Sequence, residues 1–92
     1  GYLRQQLHGL QQRYPDIIVD VRGKGLLIGV KLVPNNREFM GWARDEQHLL
    51  VAGGGDNLVR ILPPLNITLE EAREAIEKFE GACAFARIKL EG

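Results

Sequence analysis

Two runs of alternating residues separated by a very short connection limit the fold of this chain more than any other feature. In the first run Ile17, Val19 and Val21 are predicted to share one face of a strand, and residues 26–32 repeat the alternation. Residues 23–25 (Gly-Lys-Gly) are predicted to form the turn between them. Because parallel strands need a crossover of a dozen or more residues, the two runs are predicted to pair as an antiparallel hairpin.

Helical periodicity lies on both sides of this hairpin. The first helix is predicted over residues 1–13, because apolar residues recur there every three to four positions and Pro15 ends it. After the hairpin, Asn35 with Glu38 three positions later resembles a helix cap and its reciprocal partner, so a second helix is predicted to run to about Gln47. The candidate buried side chains of this helix are Phe39, Trp42 and Ala43.

The second half of the chain is predicted to add two short strands and a last helix. Residues 49–51 are predicted to be a short strand, residues 52–57 a glycine-rich loop, and residues 58–62 a strand that two prolines end. Thr68 and Glu71 are predicted to form a capping box for the last helix. Its apolar positions, which recur with the strongest helical period in the chain, are Ala72, Ala75, Ile76, Phe79, Ala82, Cys83 and Ala86.

This order of elements predicts the α+β class. Ninety-two residues suit one compact domain, and no linker divides residues 1–92. The short antiparallel connections favour a small, mostly antiparallel sheet with helices packed on one face.

Composition excludes several kinds of partner. Twelve basic residues balance twelve acidic ones, so neither nucleic acid nor a polybasic membrane contact is expected. The apolar runs are too short to cross a membrane, and the single cysteine, Cys83, has no second thiol with which to pair. We therefore expect a soluble, cytoplasmic protein.

The sequence predicts no catalytic residue and no metal site. His8 and His48 stand apart from other metal-binding or nucleophilic residues. The glutamates that open the last helix complement its dipole. Residues 53–55 are all glycine, but they lead into a strand, whereas a nucleotide-binding loop opens a helix.

Arg60 is the candidate binding residue. It lies in the predicted strand on the face opposite Val59 and Ile61. A guanidinium in an apolar strand is costly unless a carboxylate or phosphate meets it. Two structural alternatives remain, namely an internal ion pair with an acidic residue, and an edge position from which the guanidinium reaches water.

Two segments around these features resemble class III aminotransferases, most closely those of the acetylornithine type. They are residues 21–29 (VRGKGLLIG) and residues 55–68 (GDNLVRILPPLNIT). The similarity covers nearly the whole chain, and its more specific element is the arginine followed by the Pro-Pro-Leu turn. His48 departs from the family pattern, in which glycine often stands at that position.

The resemblance implies a dimeric, pyridoxal-phosphate-dependent enzyme of fold type I, in which this segment is the C-terminal part of the small domain. Arg60 then corresponds to the arginine that binds the substrate α-carboxylate. The Schiff-base lysine and the phosphate-binding loop belong to a large domain that is absent from this chain. The isolated chain is therefore expected to bind no pyridoxal phosphate and to be inactive. The implied partners are the large domain of the same protein, a second subunit, and a small amino-acid substrate.

The implied reaction transfers the amino group of N-acetylornithine to 2-oxoglutarate in arginine biosynthesis. Side-chain selectivity lies largely in residues outside this segment, so other amino donors remain open. They are ornithine, succinylornithine, succinyldiaminopimelate and 4-aminobutyrate. A second hypothesis is a stand-alone binding or adaptor module that has kept the fold without the chemistry.

Overall fold

The computed structural model describes residues 2–24, 27–47, 51–63 and 66–92. The elements, in chain order, are α1 (Tyr2–Arg13), β1 (Ile18–Lys24), β2 (Leu27–Leu32), α2 (Asn36–Gln47), β3 (Ala52–Gly54), β4 (Leu58–Ile61) and α3 (Leu69–Glu91). In the described part of the chain the strands form one antiparallel sheet in the order β1-β2-β4-β3. The predicted α+β fold and the antiparallel pairing of β1 with β2 are confirmed. The predicted turn is displaced, because Gly23 and Lys24 belong to β1, while Gly25 lies outside the described residues.

The helices α1, α2 and α3 pack on one face of the sheet, where the apolar sides of strands and helices merge into a single core. Phe39 of α2 and Phe79 of α3 are buried with ring centroids 5.3 Å apart. Burying side chains of this size contributes about 1.5–3 kcal/mol each, so these contacts are a main source of stability. Six of the predicted α3 positions are buried: Ala72, Ile76, Phe79, Ala82, Cys83 and Ala86. Trp42, predicted to be buried, is half-buried with its ring edge-on to Phe85.

The predicted face of β1 is wrong at Val19. Ile18 pairs with Leu32 but Asp20 pairs with Lys31, so the strand contains a β-bulge at the residue between them. The extra residue reverses the alternation, which leaves Ile18 buried and Val19 47% exposed. Val21, on the other side of the bulge, faces the core as predicted.

The strand predicted over residues 49–51 also needs correction. His48, Leu49 and Leu50 lie outside the described residues, and Val51 is not part of a strand. The strand is instead β3, within the segment that was predicted to be a loop. Small residues have low strand propensity, but β4 lies across a tight turn and supplies the hydrogen-bonding partner that β3 needs.

Both predicted N-cap residues are confirmed, but the predicted reciprocal partner is confirmed only for α3. The Thr68 hydroxyl accepts from the Glu71 N–H at 3.1 Å, and the Glu71 carboxylate accepts from the Thr68 N–H at 3.0 Å. Asn35 Oδ1 accepts from the N–H groups of Arg37 and Glu38 at 2.9 and 3.1 Å. The side chain of Glu38 makes no reciprocal bond among the described residues, so α2 has a single cap rather than a capping box. None of the helices in the described ranges is both long and apolar enough to cross a membrane.

Candidate functional site

Arg60 lies on the face of the sheet that points away from the three helices, which we call the open face. Across this face Arg60 pairs with Gly29 of β2 and Ala52 of β3, and Gly29 pairs with Arg22 of β1. The next residue along β4, Val59, is completely buried in the core. The predicted alternation around Arg60 is therefore confirmed.

The guanidinium of Arg60 is bound by the backbone and not by an acidic side chain. Its Nε and Nη2 atoms donate to the carbonyl oxygen of Gly53 at 3.2 and 2.8 Å. No carboxylate of the described residues pairs with it, so the predicted alternative of an internal ion pair is not seen in this part of the chain. The Gly53 carbonyl occupies the Nε and Nη2 edge of the guanidinium. The Nη1 and Nη2 edge keeps donors for a ligand.

Arg60 borders a groove of about 420 Å³ between the end of β4 and helices α1 and α3. The described lining residues are Leu3, Val51, Ala52, Arg60, Ile61, Leu62, Pro63, Ile67 and Ala75. Arg60 is the one charged side chain among them. A mainly apolar groove with one bidentate donor is suited to a small ligand that has an apolar part and a carboxylate.

A tight turn places β4 and therefore Arg60. Asp56 and Asn57 have φ angles of 60° and 59°, and Leu58 N–H donates to Gly55 O at 3.3 Å. Positive φ at both central positions is typical of a type I′ turn, which suits the twist of an antiparallel hairpin. Asp and Asn tolerate this backbone better than most side chains. The neighbouring Asp and Asn were therefore a signal for this hairpin that the sequence analysis missed.

Asn57 ties this turn to the connection between β2 and α2. Its Nδ2 donates to the carbonyl oxygens of Leu32 and Pro34, both at 2.7 Å. Its Oδ1 accepts from the backbone N–H of Asn36 at 2.8 Å. One side chain thus satisfies three backbone groups on the connection.

The side chain of Asn36 makes the return contact from α2. Its Nδ2 donates to the carbonyl oxygens of Gly54 and Leu58, at 3.1 and 3.0 Å. These two residues are paired between β3 and β4. Asn36 and Asn57 therefore bind the hairpin that carries Arg60 to the rest of the domain.

The neighbouring cations of the open face differ from Arg60 in having acidic partners. Lys31 Nζ lies 3.2 Å from Asp56, and Arg22 lies 3.0 Å from Asp20 and 3.5 Å from Asp56. These pairs are largely exposed, where such pairs stabilise a fold by about 0–1 kcal/mol. Their charges are locally compensated, whereas the charge of Arg60 has no acidic partner among the described residues.

The described residues contain no other arrangement suited to catalysis. His8 is exposed on α1, while His48 lies outside the described residues. Burial raises the pKa of the Cys83 thiol to about 12, so at neutral pH it is protonated and not a nucleophile. No group of three or more His, Cys, Asp and Glu side chains within the described ranges is arranged to bind a metal ion.

Sequence comparison identifies the class of protein to which this fold and site belong. The family model described as Aminotransferase class-III matches residues 1–83. The chain therefore belongs to the class III aminotransferases, which confirms the resemblance. It is similar to acetylornithine aminotransferase 2 of Caulobacter vibrioides, with 70% identity over 97% of this chain. Acetylornithine aminotransferase of Brucella melitensis is 49% identical over 87% of the chain.

Solved structures give the same result at the level of the fold. The N-acetylornithine aminotransferase from Stenotrophomonas maltophilia K279a superposes on 96% of this chain with a TM-score of 0.85 and 27% identity. The chain spans 22% and 20% of the lengths of the two relatives, and 25% of the solved chain. It therefore corresponds to about a quarter or less of these proteins.

Proposed function

We propose that this chain is the C-terminal small domain of an acetylornithine aminotransferase, and that Arg60 binds the α-carboxylate of its substrates. The observation that carries the proposal is the position of Arg60. Arg60 borders an apolar groove, and one edge of its guanidinium is held by the backbone with no acidic partner among the described residues. The name and 70% identity of the Caulobacter relative support the donor, N-acetylornithine, with 2-oxoglutarate as acceptor. The parent protein is then a cytoplasmic homodimer in arginine biosynthesis whose large domain completes the active site.

In this role Arg60 contributes binding and orientation. A planar guanidinium makes two parallel hydrogen bonds to a carboxylate, which fixes the direction of the attached Cα as well as its distance. Orientation of this kind lowers the entropic part of the barrier. The amino-acid donor and the 2-oxo-acid acceptor both have a carboxylate next to the reacting carbon, so one arginine serves both half-reactions.

Class III aminotransferases use pyridoxal phosphate, which carries the amino group between the two half-reactions when it is bound. The described lysine side chains do not fit a cofactor site. Lys31 is paired with Asp56, Lys78 is paired with Glu74, and Lys89 lies over the Phe85 ring. None of them lines the groove beside Arg60. That the isolated chain binds no pyridoxal phosphate stays a prediction, tested by titration followed by reduction and mapping of any labelled lysine.

The Arg60→Lys variant of the parent tests the carboxylate role. Lysine keeps the positive charge but loses the bidentate geometry. A charge-assisted hydrogen bond is worth about 1.5–3 kcal/mol, so kcat/KM should fall by roughly 10- to 200-fold for both N-acetylornithine and 2-oxoglutarate. Steady-state kinetics with each substrate varied in turn give the result.

Arg22→Lys is the matched control, because Arg22 lies on the same open face but is paired with acidic residues. It should leave kcat/KM unchanged. An Arg60→Lys parent with normal turnover and a markedly lower unfolding midpoint would instead make Arg60 a structural residue. Assays of ornithine, succinylornithine and 4-aminobutyrate as donors test the proposed donor separately.

A further inference from the structure

The side chain of Arg60 lies over Gly54. A Cβ atom built on Gly54 would be 3.3 Å from Nε, 3.4 Å from Cδ and 3.5 Å from Cγ of Arg60. Gly54 pairs with Leu58, which lies two residues before Arg60 on β4. Gly54 and Arg60 are therefore diagonal neighbours on the open face. The absence of a side chain at residue 54 lets the arginine stem lie flat on β3.

This path leads the guanidinium to the Gly53 carbonyl. An arginine on an exposed strand has many side-chain conformations, and ordering them costs conformational entropy. Here the stem follows the surface of Gly54, and Nε and Nη2 then meet one acceptor, Gly53 O. The direction of the Nη1 and Nη2 edge of the guanidinium is thereby fixed before any ligand arrives.

The geometry points to Gly54 as a positioning residue that sets the direction in which Arg60 presents its Nη1 and Nη2 edge to a substrate carboxylate. This inference rests on the proposed function of Arg60. Gly54 touches no substrate in this scheme and acts only through the arginine stem.

Three consecutive glycines of β3 and its turn, Gly53, Gly54 and Gly55, differ in what an added Cβ would contact. Substitutions at these residues therefore distinguish a positioning role from a packing role. A Cβ on Gly53 would lie 2.9 Å from Met40 Cε, so Gly53 gives room for packing against α2. A Cβ on Gly55 would meet nothing within 4 Å. A Cβ on Gly54 would meet only the exposed Arg60 side chain among its three nearest atoms. That contact can be relieved by moving the guanidinium without disturbing the core.

Stability and function should therefore respond in opposite directions. Glycine in a strand loses more backbone entropy on folding than alanine does, so Gly54→Ala is expected to leave the unfolding midpoint unchanged or slightly raised. The same change requires the Arg60 side chain to shift by a few tenths of an ångström, which weakens its hydrogen bonds to Gly53. A purely structural glycine would lower the midpoint when substituted.

The experiment compares Gly54→Ala with Gly55→Ala in the full-length parent. For Gly54→Ala, kcat/KM for N-acetylornithine and for 2-oxoglutarate should fall by about 2- to 10-fold, less than for Arg60→Lys, because the hydrogen bonds that orient Arg60 are weakened and not removed. Gly55→Ala should match the wild type. The single-turnover half-reaction with a simple alkylamine, which has no carboxylate, should be unchanged in both variants.

A double-variant cycle with Arg60→Ala shows through which residue Gly54 acts. In the Arg60→Ala background, Gly54→Ala should cause no further loss. Three results would each overturn the positioning role. The first is that the losses in kcat/KM from the two substitutions add, the second is that Gly54→Ala behaves like Gly55→Ala, and the third is a markedly lowered unfolding midpoint for Gly54→Ala. If one of these three results is found and Arg60→Ala itself lowers kcat/KM, only the positioning role is wrong, and the carboxylate role of Arg60 remains. If Arg60→Ala has no effect on kcat/KM, both the positioning role and the proposed function are wrong.

Discussion

An ion pair between Asp16 and Arg87 joins the loop after α1 to the last turns of α3. Arg87 donates from Nε and Nη2 to the two carboxylate oxygens of Asp16 at 2.8 and 2.5 Å. Its Nη2 also donates to the carbonyl of Arg13 at 3.0 Å, and the guanidinium lies 4.3 Å from the centre of the Tyr14 ring. The hydrogen bonds from Arg87 hold the pKa of Asp16 below its ordinary value of 3.8.

Asp16→Asn should therefore lower stability in a pH-dependent way. A carboxylate whose pKa is lowered by folding stabilises the native state above its unfolded pKa, near 3.8, and loses that contribution as the pH falls through the lower folded value. The wild type should have the higher urea midpoint at pH 6. The difference should shrink below about pH 3.8 and vanish in stronger acid.

Asp45→Asn provides the control for this pH series. Asp45 pairs with Arg44, its immediate neighbour on α2, so that pair connects no two elements. Glu71, whose pKa is lowered by the Thr68 N–H, titrates in the wild type and both variants alike and cancels in the comparison. A gap between wild type and Asp16→Asn that stays constant from pH 6 to pH 2 would show that the ion pair is not its source.

At the level of elements, the β3–β4 hairpin depends on its turn. The turn has positive φ at two non-glycine residues and is held to the β2–α2 connection by the Asn57 side chain. Among the described residues, its other central residue, Asp56, makes only exposed ion pairs, with Lys31 and Arg22. The two positions have the same backbone conformation but different bonding, which makes them a matched pair for substitution.

Asn57→Gly should destabilise the domain by about 1–3 kcal/mol more than Asp56→Gly does, the cost of leaving part-buried backbone groups without hydrogen bonds. Glycine accepts the positive φ in both cases, so the backbone change is equal. Only Asn57→Gly removes hydrogen bonds to part-buried backbone groups, whereas Asp56→Gly removes exposed pairs worth about 0–1 kcal/mol. Urea unfolding of both variants measures the difference, and equal losses would show that Asn57 does not brace the turn.

At the level of the whole molecule, the described helices cover one face of the sheet, while the groove beside Arg60 opens outward. Leu62 at the groove is 71% exposed and is followed by Pro63. The chain spans about a fifth of the length of its curated relatives. If the rest of the parent covers this groove, the isolated chain exposes apolar surface that favours association.

The isolated chain should associate in a concentration-dependent way, and Leu62→Ser should weaken that association. Ile88→Ser is the control, because Ile88 is similarly exposed, at 66%, but lies on α3 away from the groove lining. Sedimentation velocity over a wide concentration range gives the result. A monomer at every concentration would contradict the prediction, and equal effects of both variants would place the association elsewhere.

The sequence by itself determined the features that depend on neighbours along the chain. The apolar stripe of α3, the Thr68–Glu71 capping box and the β1–β2 hairpin all follow from spacings of a few residues. Arg60 was found in the same way, since its alternation with buried Val59 is a local property of a strand.

Only the tertiary structure decided the features that depend on partners distant in the sequence. The bulge at Val19 follows from how β1 pairs with β2, and β3 forms in a glycine-rich segment because β4 is there to pair with it. The bonds of Asn57 reach backbone groups more than 20 residues away, and Arg60 meets the Gly53 carbonyl only across two paired strands. Periodicity records which side of an element is apolar. Register and side-chain partners are set by packing in space, where one residue of displacement moves a side chain to the opposite face.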